Sequence, residues 1–375
     1  MKNRFILIAI FIALNTTLFS QDSNFHIYLC FGQSNMEGQG TIENQDKTVD
    51  NRFKVFQALN CPHLNREKGT WYTATPPLCQ CYSGLSPADY FGRVMIANLP
   101  DSITVGVINV AVGGCDIRLF DKDIYRDYDS TYTESWFTDK VKAYGWNPYQ
   151  HLIDLALEAQ KDGVIKGILL HQGETNTGNQ QWPTYVKKIY TDMLADLSLN
   201  ADSVPLLAGE VLSAPGNCCA SMNTIINKLP QTIETSYVIS SDNCPGQDEA
   251  HFNSVGYRIL GNRYGKKMLS HMGYEVDITA DLDTHESDDY ALHQNYPNPF
   301  STSTHISFNL AQAEFVTLKI YTTQGIEVST ISEKFYAAGT HSIEFSEDSL
   351  PAGNYLYKLT TNSFSETKTM QKTSQ

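Results

Sequence analysis

Two features that decide a protein's partners are scarce in this sequence. Positive charge is in deficit, since 27 lysine and arginine residues stand against 41 aspartate and glutamate residues, which gives a formal charge of −14. A phosphate backbone would be repelled by this charge, so no nucleic acid partner is expected. Apolar runs are short as well. The run from Phe5 to Leu14 covers ten residues, whereas a membrane-spanning helix needs about 20, so no membrane span is predicted.

The eight cysteines lack the C-x-x-C spacing that is typical of zinc sites. Cys79 and Cys81 are separated by a single residue, and Cys218 and Cys219 are adjacent. No metal site is therefore expected. Eight cysteines fit an exported protein in an oxidising compartment, where some disulfides form, but the pairing cannot be read from the sequence. Cys30, inside a predicted strand, also fits a buried thiol.

The first residues predict a secretory signal peptide over residues 1–20. Lys2 and Arg4 precede the apolar run, and small or polar residues follow it up to Ser20. We therefore expect export to the periplasm, and from there to the cell surface or the medium. A chain of 375 residues with 41% hydrophobic residues can bury a large core and form two domains.

Ser34 is the candidate nucleophile. The apolar residues from Ile27 to Phe31 predict a buried strand, and Gly32 after them allows a sharp turn. A hydroxyl group at the carboxyl end of a strand lies where open α/β sheets bind their ligands. The alternative is a helix cap, because Ser34 and Glu37 have the spacing of a capping box. The glycines at 38 and 40 weaken that alternative, since they would destabilise the helix.

Asp248 and His251 supply the other two members of a hydrolytic triad. They are three residues apart, so the carboxylate can hold one imidazole nitrogen while the other faces an incoming serine. Alone, the pair would be interpreted as surface residues at a helix entry. Together with Ser34 it predicts a Ser-His-Asp esterase.

The chain resembles the SGNH hydrolases, and among them the carbohydrate esterases of the sialate O-acetylesterase and acetylxylan esterase kind. Four blocks carry the resemblance: residues 32–36 (GQSNM), 111–114 (AVGG), 171–176 (HQGETN) and 248–253 (DEAHFN). Their order and spacing match from Gly32 to Asn253. An α/β-hydrolase fits less well, because its nucleophile elbow needs a glycine where this chain has Met36.

Two of these blocks contain the candidate oxyanion donors. The bare backbone of Gly113 or Gly114 can approach a ligand, so one of these amides is expected to act beside the Ser34 amide, although a plain tight turn remains the alternative. Many SGNH hydrolases have an asparagine in the third block. Here the resemblance to the carbohydrate-esterase branch implies Gln172 as the side-chain donor, with Asn176 in reserve. Supporting roles are expected for two more residues, Gln33 and Glu174.

Residues 24–275 alternate between strand-like and helix-like segments, which predicts a three-layer α/β/α domain. The predicted strands cover residues 26–31, 52–58, 103–110, 164–170, 204–212 and 235–240. The predicted helices cover residues 87–98, 148–161, 182–198, 221–229 and 254–271. Strands 103–110 and 164–170 are almost continuously apolar, as strands covered on both faces should be. The resemblance implies a flavodoxin-like strand order.

Two insertions interrupt this pattern. Residues 116–146 form an irregular, aromatic-rich insertion that includes Trp136 and Trp146. It is interpreted either as a substrate wall or lid at the strand tips, or as a self-packed loop. Residues 60–83 contain Cys61, Cys79 and Cys81 and predict a disulfide-tied loop.

The last quarter of the chain has a different composition. An acidic linker is predicted over residues 276–291, and residues 292–375 predict a small all-β sandwich domain with strands 304–310, 315–321, 326–331, 341–345, 354–360 and 363–370. The tail resembles the type A C-terminal sorting domain of the type IX secretion system in residues 295–300 (NYPNPF), Gly325, 338–341 (AGTH), 350–353 (LPAG) and Lys368. That resemblance implies the type IX secretion machinery as a partner. A carbohydrate-binding module is the competing interpretation, but the tail contains no tryptophan.

These observations together predict a secreted serine esterase that removes acetyl groups from carbohydrates, such as acetylated xylan, through an acyl-enzyme intermediate. Neither a metal nor an organic cofactor is expected. A sialate O-acetylesterase, or an esterase of another acyl specificity, remains an alternative. A non-catalytic glycan-binding surface protein is the alternative of another class.

Overall fold

The computed structural model describes residues 21–129, 133–213, 217–276, 290–310, 314–336, 339–346, 350–361 and 364–374. The chain divides into two compact units, residues 1–278 and residues 279–375. The predicted signal peptide and nearly all of the predicted acidic linker lie outside the described residues. No helix among the described residues is both long and apolar enough to cross a membrane.

The first unit is built on a seven-stranded sheet. Its strands are β1 (Asp22–Gly32), β2 (Phe53–Phe56), β3 (Trp71–Thr73), β4 (Thr104–Ala111), β5 (Gly163–His171), β6 (Leu206–Gly209) and β7 (Ser236–Ile239). Their order is β3-β2-β4-β1-β5-β6-β7, and all pairs are parallel except β2 with β3. Without β2 and β3, which lie together at one edge, the remaining order β4-β1-β5-β6-β7 is the expected flavodoxin-like one.

Helices cover both faces of this sheet. They are α1 (Ser34–Glu37), α2 (Pro87–Asn98), α3 (Tyr125–Asp129), α4 (Ser135–Ala143), α5 (Pro148–Ala159), α6 (Trp182–Asp196), α7 (Asn223–Ile226), α8 (Leu229–Thr232) and α9 (Ser254–His271). Successive side chains of β1 point to opposite faces. Leu29 therefore joins the core beneath α5 and α6, whereas Tyr28 joins the core beneath α2 and α9. The predicted three-layer α/β/α architecture is confirmed.

Local signals explain why two helices begin and end at the predicted residues. In α2, Ser86 and Asp89 form a capping box and Pro87 occupies the first turn. In α9, the Asn253 side chain accepts a hydrogen bond from the backbone of Gly256. The single helix predicted over residues 221–229 is wrong. The chain forms α7 and α8 there, and Pro230 in the first turn of α8 cannot continue a preceding helix.

The two insertions differ from each other. The predicted irregular insertion at 116–146 is in fact largely helical, because it contains a 3-10 turn (Ile117–Phe120), α3 and α4. In the second insertion, a disulfide joins Cys61 to Cys81, which confirms the disulfide-tied loop. A second disulfide joins Cys218 to Cys219. Cys30 is a buried free thiol, and its burial raises its pKa.

The second unit consists of antiparallel strands in two sheets. The strands are β8 (Ala291–Leu292), β9 (Ser303–Leu310), β10 (Glu314–Thr322), β11 (Glu327–Tyr336), β12 (Gly339–Ser346), β13 (Gly353–Thr360) and β14 (Ser365–Lys372). One sheet has the order β11-β10-β13-β14 and the other β12-β9-β8. Alternate residues such as Ile306, Leu318 and Leu359 form the shared apolar core. The predicted β-sandwich is confirmed.

Candidate active site

Ser34 stands at the carboxyl end of β1, where the strand turns directly into a helix. The strand ends at Gly32, whose φ is +148° and whose missing Cβ would lie 2.1 Å from the carbonyl oxygen of His171. Only glycine permits so close an approach. The following short helix, α1, begins at Ser34 itself, and Ser34 is 8% exposed. The hydroxyl group is therefore presented at the tip of the central strand.

The alternative capping role of Ser34 is wrong. Ser34 is the first helical residue, whereas the N-cap is Gln33, which makes no side-chain cap bond. The Glu37 carboxylate accepts two other hydrogen bonds, from the backbone N–H of Gly113 at 2.5 Å and from Lys140 Nζ at 2.6 Å. Glu37 thus connects the tip of β1 with the loop after β4 and with α4.

Ser34, His251 and Asp248 lie in a continuous hydrogen-bonded row. His251 Nε2 is 2.9 Å from Ser34 Oγ. The other ring nitrogen, Nδ1, is 2.9 Å from one carboxylate oxygen of Asp248 and 3.0 Å from the other. A carboxylate in this position selects the imidazole tautomer that carries its proton on Nδ1, which leaves Nε2 free to accept the serine proton.

The loop that carries His251 and Asp248 is held in shape by Asp248 itself. One oxygen of Asp248 accepts backbone N–H groups from Ala250 at 2.8 Å and from His251 at 2.7 Å. Partial burial alone would raise the pKa of Asp248. These hydrogen bonds and that of the imidazole outweigh burial and lower this pKa, so the carboxylate stays ionised at neutral pH.

Asn35, the residue after the candidate nucleophile, joins this loop to α1. Its Nδ2 donates to the carbonyl oxygen of Ala250 at 2.9 Å and to Glu174 Oε1 at 2.5 Å. Its Oδ1 accepts the hydroxyl of Tyr257 at 2.6 Å. The fully buried Asn35 amide therefore fixes the spacing between the serine and histidine segments, and it ties Glu174 to both.

The glycine pair follows β4, but its two backbone amides differ. The Gly113 N–H is engaged by Glu37, as described above. Gly114 has a φ of +80°, and within the part of the chain that the structure describes its N–H has no protein acceptor. Both glycines line the pocket over Ser34. Of the two predicted oxyanion amides, that of Gly114 is the one left available to a ligand.

The oxyanion role expected of Gln172 does not fit its surroundings. Gln172 is completely buried, and its Nε2 lies 2.6 Å from Asn176 Oδ1, 3.0 Å from Gln33 Oε1 and 3.1 Å from the Cys115 carbonyl. Its Oε1 accepts the indole N–H of Trp182 at 2.5 Å. The amide group thus has protein partners on both ends and does not line the pocket.

The reserve candidate, Asn176, is also tied to the interior. Its Oδ1 accepts the backbone N–H of Ile117 at 2.9 Å in addition to the Gln172 amide, and its Nδ2 donates to Asp116 Oδ2 at 2.8 Å. Buried polar groups of this kind are stabilised by such partners. Asn176 therefore connects the loop after β5 to the aromatic-rich insertion rather than to the pocket.

Gln33 and Glu174, the two expected supporting residues, both line the pocket. Gln33 Oε1 accepts Gln172 Nε2 at 3.0 Å and faces the backbone N–H of Gly173 at 3.4 Å. Its own Nε2 makes no hydrogen bond within the described residues. Glu174 Oε2 is buried and likewise without a partner there. The wall beside Ser34 thus offers one free amide donor, whereas the unpaired oxygen of Glu174 is not solvent-exposed.

The aromatic-rich insertion divides into a packed part and an exposed part. Phe120, Phe137 and Tyr144 are buried in the core, as a self-packed loop would have them. Trp136, in contrast, is 54% exposed, and a Cβ on Gly114 would lie 2.8 Å from its ring. Trp136 and Lys140, both from α4, line the pocket. The insertion therefore supplies a pocket wall as well as its own core.

The pocket over Ser34 has a volume of about 430 Å³ and carries little net charge. Its only lysine or arginine, among the described residues, is Lys140, which forms an ion pair with Glu37. A separate acidic group, Asp121, Asp123 and Asp192, has the spacing of a cation site. The ammonium of Lys188 already lies within 2.9 Å of all three carboxylates, so a cation of the protein itself occupies the centre of this group.

Sequence reasoning missed the roles of Asn35, Glu37 and Lys140. Asn35 and Glu37 lie within or directly after the GQSNM block, so their place beside Ser34 was a usable signal. Lys140 gave no comparable signal, since it lies 103 residues from its partner Glu37. Only the fold brings α4 to the strand tips.

The comparisons with known proteins agree with this architecture. Residues 294–373 match the family model of the secretion system C-terminal sorting domain. A solved structure of a protein from Arabidopsis thaliana is similar over 66% of this chain and 99% of its own, at 17% identity and a TM-score of 0.50. At that identity the likeness shows the fold alone.

Two further likenesses are weak. An endo-beta-1,4-mannanase from Thermotoga petrophila matches at 9% identity over 76% of this chain and 71% of its own, with a TM-score of 0.20. The Ig1 domain of mouse SynCAM 2 matches at 14% identity over 23% of this chain and 93% of its own, with a TM-score of 0.16. These TM-scores are too low to support any argument.

The match of the first unit to a family model, in contrast, supports a conclusion. Residues 24–270 match the model described as carbohydrate esterase, sialic acid-specific acetylesterase, and the four sequence blocks all lie within that range. This confirms the resemblance found in the sequence. The chain, matched over more than half of its 375 residues, belongs to this family of carbohydrate esterases.

Proposed function

We propose that the protein is an exported serine esterase that removes O-acetyl groups from carbohydrates through an acyl-enzyme intermediate. The observation that carries the proposal is the row of contacts from Ser34 Oγ to His251 Nε2 and from His251 Nδ1 to Asp248, at the floor of an open pocket. A serine next to a base that is itself oriented by a carboxylate is the arrangement of an activated nucleophile.

In the first half of the proposed reaction, Ser34 Oγ attacks the carbonyl carbon of the acetyl ester and its proton passes to His251 Nε2. Asp248 keeps the ring oriented and stabilises the imidazolium. His251 then returns the proton to the sugar oxygen as the ester bond breaks. In the second half, water attacks the acetyl-serine while His251 takes a proton from it; the bond to Ser34 Oγ then breaks, His251 returns the proton to Ser34 Oγ, and acetate leaves.

Three donors are proposed for the oxyanion: the backbone N–H groups of Ser34 and Gly114 and the side-chain Nε2 of Gln33. All three residues line the pocket. Gln33 Oε1 is held by Gln172, which leaves the nitrogen end of the Gln33 amide for a ligand. The buried Gln172 then has a positioning role behind Gln33. Donors fixed in advance in this way stabilise developing charge at little reorganisation cost.

The pocket favours an acetylated neutral polysaccharide, such as acetylated xylan, over a sialic acid. A sialic acid carries a carboxylate, which needs an available cation. Among the described pocket residues the only lysine or arginine, Lys140, is paired with Glu37 at 2.6 Å, and Glu174 adds a second carboxylate. The hydroxyl groups of a neutral sugar need no such cation.

We assign this chemistry to residues 24–275, linked by residues 276–291 to the sorting domain at 292–375. The sorting domain indicates handling by the type IX secretion system, hence an exported, cell-surface or secreted protein. We propose that a signal peptide at residues 1–20 provides the first step of this route.

Acetate release tests the proposed function. The purified protein is incubated with p-nitrophenyl acetate, acetylated xylan and an O-acetylated sialic acid, and acetate is measured. We expect acetate release from p-nitrophenyl acetate and from the acetylated sugars, with kcat/KM higher on acetylated xylan than on the sialic acid. Absence of turnover on every ester would instead support a non-catalytic glycan-binding protein, and a preference for the sialic acid would contradict the neutral substrate.

A further inference from the structure

A second cleft lies beside the pocket over Ser34. It has a volume of about 660 Å³ and shares two lining residues with that pocket, Gln39 and Lys140. Its other side is formed by residues 80–84, at the carboxyl end of the disulfide-tied insertion. A ligand whose ester lies at Ser34 can therefore continue past Gln39 and Lys140 into this cleft.

The rim of the cleft carries an exposed aromatic side chain that stacks on a neighbouring ring. Tyr82 is 87% exposed, and its ring stacks on His63 with ring centroids 4.3 Å apart and planes inclined by only 3°. His63 Nε2 is 3.0 Å from the carbonyl oxygen of Cys81, which the disulfide joins to Cys61. A large ring exposed to this extent, yet oriented by its neighbours, offers a flat apolar surface to a ligand.

The remaining lining of the cleft mixes apolar residues, such as Ile42 and Leu59, with polar ones and has no net charge. Glu37 and Lys140 are its only charged residues, within the described part of the chain, and they form an ion pair at 2.6 Å. The amides of Gln39 and Gln80 provide both donors and acceptors. A flat aromatic face beside neutral hydrogen-bonding groups suits a sugar ring, which has an apolar C–H face and a rim of hydroxyl groups.

We propose that this cleft binds the sugar residues that flank the acetylated residue in a neutral oligosaccharide chain, with one ring stacked on Tyr82. The inference rests on the proposed function, because it takes the ester at Ser34 as its fixed point. It adds a site that holds the carbohydrate chain rather than the acetyl group, so it predicts a preference for oligomers over single sugars.

The first test compares substrates that do and do not reach the cleft. In Tyr82→Ala, the ratio of kcat/KM on an acetylated xylo-oligosaccharide to kcat/KM on p-nitrophenyl acetate should fall about tenfold, mainly through KM. The matched control is Tyr296→Ala, the same change at a tyrosine of the C-terminal unit that is 81% exposed. The control should leave the ratio unchanged. An unchanged ratio in Tyr82→Ala would overturn the proposal.

The second test measures binding without chemistry, so that it is independent of esterase activity. Calorimetric titration of the full chain with unacetylated xylohexaose or mannohexaose should show binding of at least one of them, weakened about tenfold in Tyr82→Ala. If neither hexasaccharide binds, or if Tyr82→Ala binds as tightly as the wild type, the subsite is wrong whatever the esterase activity. If binding depends on Tyr82 but no acetyl ester is hydrolysed, the proposed function fails and the subsite stands.

Discussion

The two units of this protein differ in where their buried polar side chains lie. In the first unit, amides and carboxylates are buried at the carboxyl end of the sheet, for example Asn35, Glu37 and Gln172. In the second unit, the core between the sheets consists of apolar side chains such as Val316 and Ile320, and buried polar residues such as Asn295 and Thr304 are hydrogen-bonded to each other.

This difference shows which region is arranged for chemistry. A buried polar group destabilises the fold unless it is hydrogen-bonded, so a purely structural core contains few of them. Around Ser34 the buried groups make hydrogen bonds that hold the histidine loop, the glycine pair and Gln33 in position. The sandwich, by contrast, has the simple alternation that a small independent fold requires. Changes that affect catalysis should therefore be confined to the first unit.

The largest effect is expected from Ser34→Ala. Without the hydroxyl no acyl-enzyme can form, so kcat on p-nitrophenyl acetate should fall by about 10⁴-fold or more, with little change in Tm. The matched control is Ser236→Ala. Ser236 is also buried, but its hydroxyl donates to the carbonyl of Ile233 at 2.7 Å, so this variant should lose stability and retain kcat. Equal activity of the two folded variants would contradict the nucleophile assignment.

A smaller effect is expected at the oxyanion wall. Gln33→Glu keeps the oxygen that accepts the Gln172 amide but replaces the nitrogen donor, so kcat should fall roughly 10²-fold or more. Gln172→Ala should mainly lower Tm, because it leaves Trp182 and Asn176 without their buried partner. Kinetics and thermal unfolding of both variants decide between the roles. Loss of kcat at unchanged Tm in Gln172→Ala alone would return the donor role to Gln172.

The next prediction concerns pH and again lies in the first unit. Burial raises the pKa of Asp89 to about 7, although hydrogen bonds from Ser86 oppose the shift. The unfolded chain releases this proton near pH 4, while the folded chain keeps it until about pH 7. The free energy of unfolding of the first unit should therefore fall between those pH values, by up to ~1.4 kcal/mol per pH unit.

Urea unfolding can be followed in the first unit alone, because all four tryptophans lie before residue 183. Asp89→Asn, which cannot ionise, should flatten the dependence on pH between about 4 and 7. Asp101→Asn is the control, since Asp101 is fully exposed and should leave the slope as in the wild type. Identical slopes in all three proteins would show that Asp89 ionises normally in the folded state.

The smallest effect on catalysis is expected from removal of the second unit. A chain that ends at residue 289 should keep kcat/KM on both p-nitrophenyl acetate and insoluble acetylated polysaccharide, while export across the outer membrane in the native host should stop. Fractionation of the host and activity assays measure the two outcomes. A selective loss on the polymer would contradict the sorting role, since a tethered binding module raises the local substrate concentration.

Much of the fold could be predicted because its signals are local. The helices at 87–98 and 254–271 have the predicted bounds because their caps are encoded within a few residues. The sequence did not reveal β3, since three residues of an edge strand carry too little pattern. It also overextended the helix at 221–229, where the local effect of Pro230 outweighed the apolar pattern.

The candidate site likewise contains some residues whose positions could be predicted from the sequence and others whose positions could not. Asp248 and His251 are three residues apart, so their contact could be expected from spacing. The direction in which an amide side chain points is not encoded locally. Gln172 and Gln33 are both near the strand tips. The Gln172 side chain points inward and accepts the indole N–H of Trp182, whereas Gln33 lies on the pocket wall. The Glu37–Lys140 pair depends on how α4 packs, which no short motif records.

The central claim is that Ser34 is the nucleophile of an esterase, and covalent labelling tests it most directly. A fluorophosphonate ester reacts with an activated serine hydroxyl by displacing fluoride, and peptide mass spectrometry then locates the adduct. The account predicts a single phosphonylated residue, Ser34, with no adduct in Ser34→Ala and far slower labelling in His251→Ala. Labelling at another residue, or acetyl ester hydrolysis that persists in Ser34→Ala at the wild-type rate, would contradict the account.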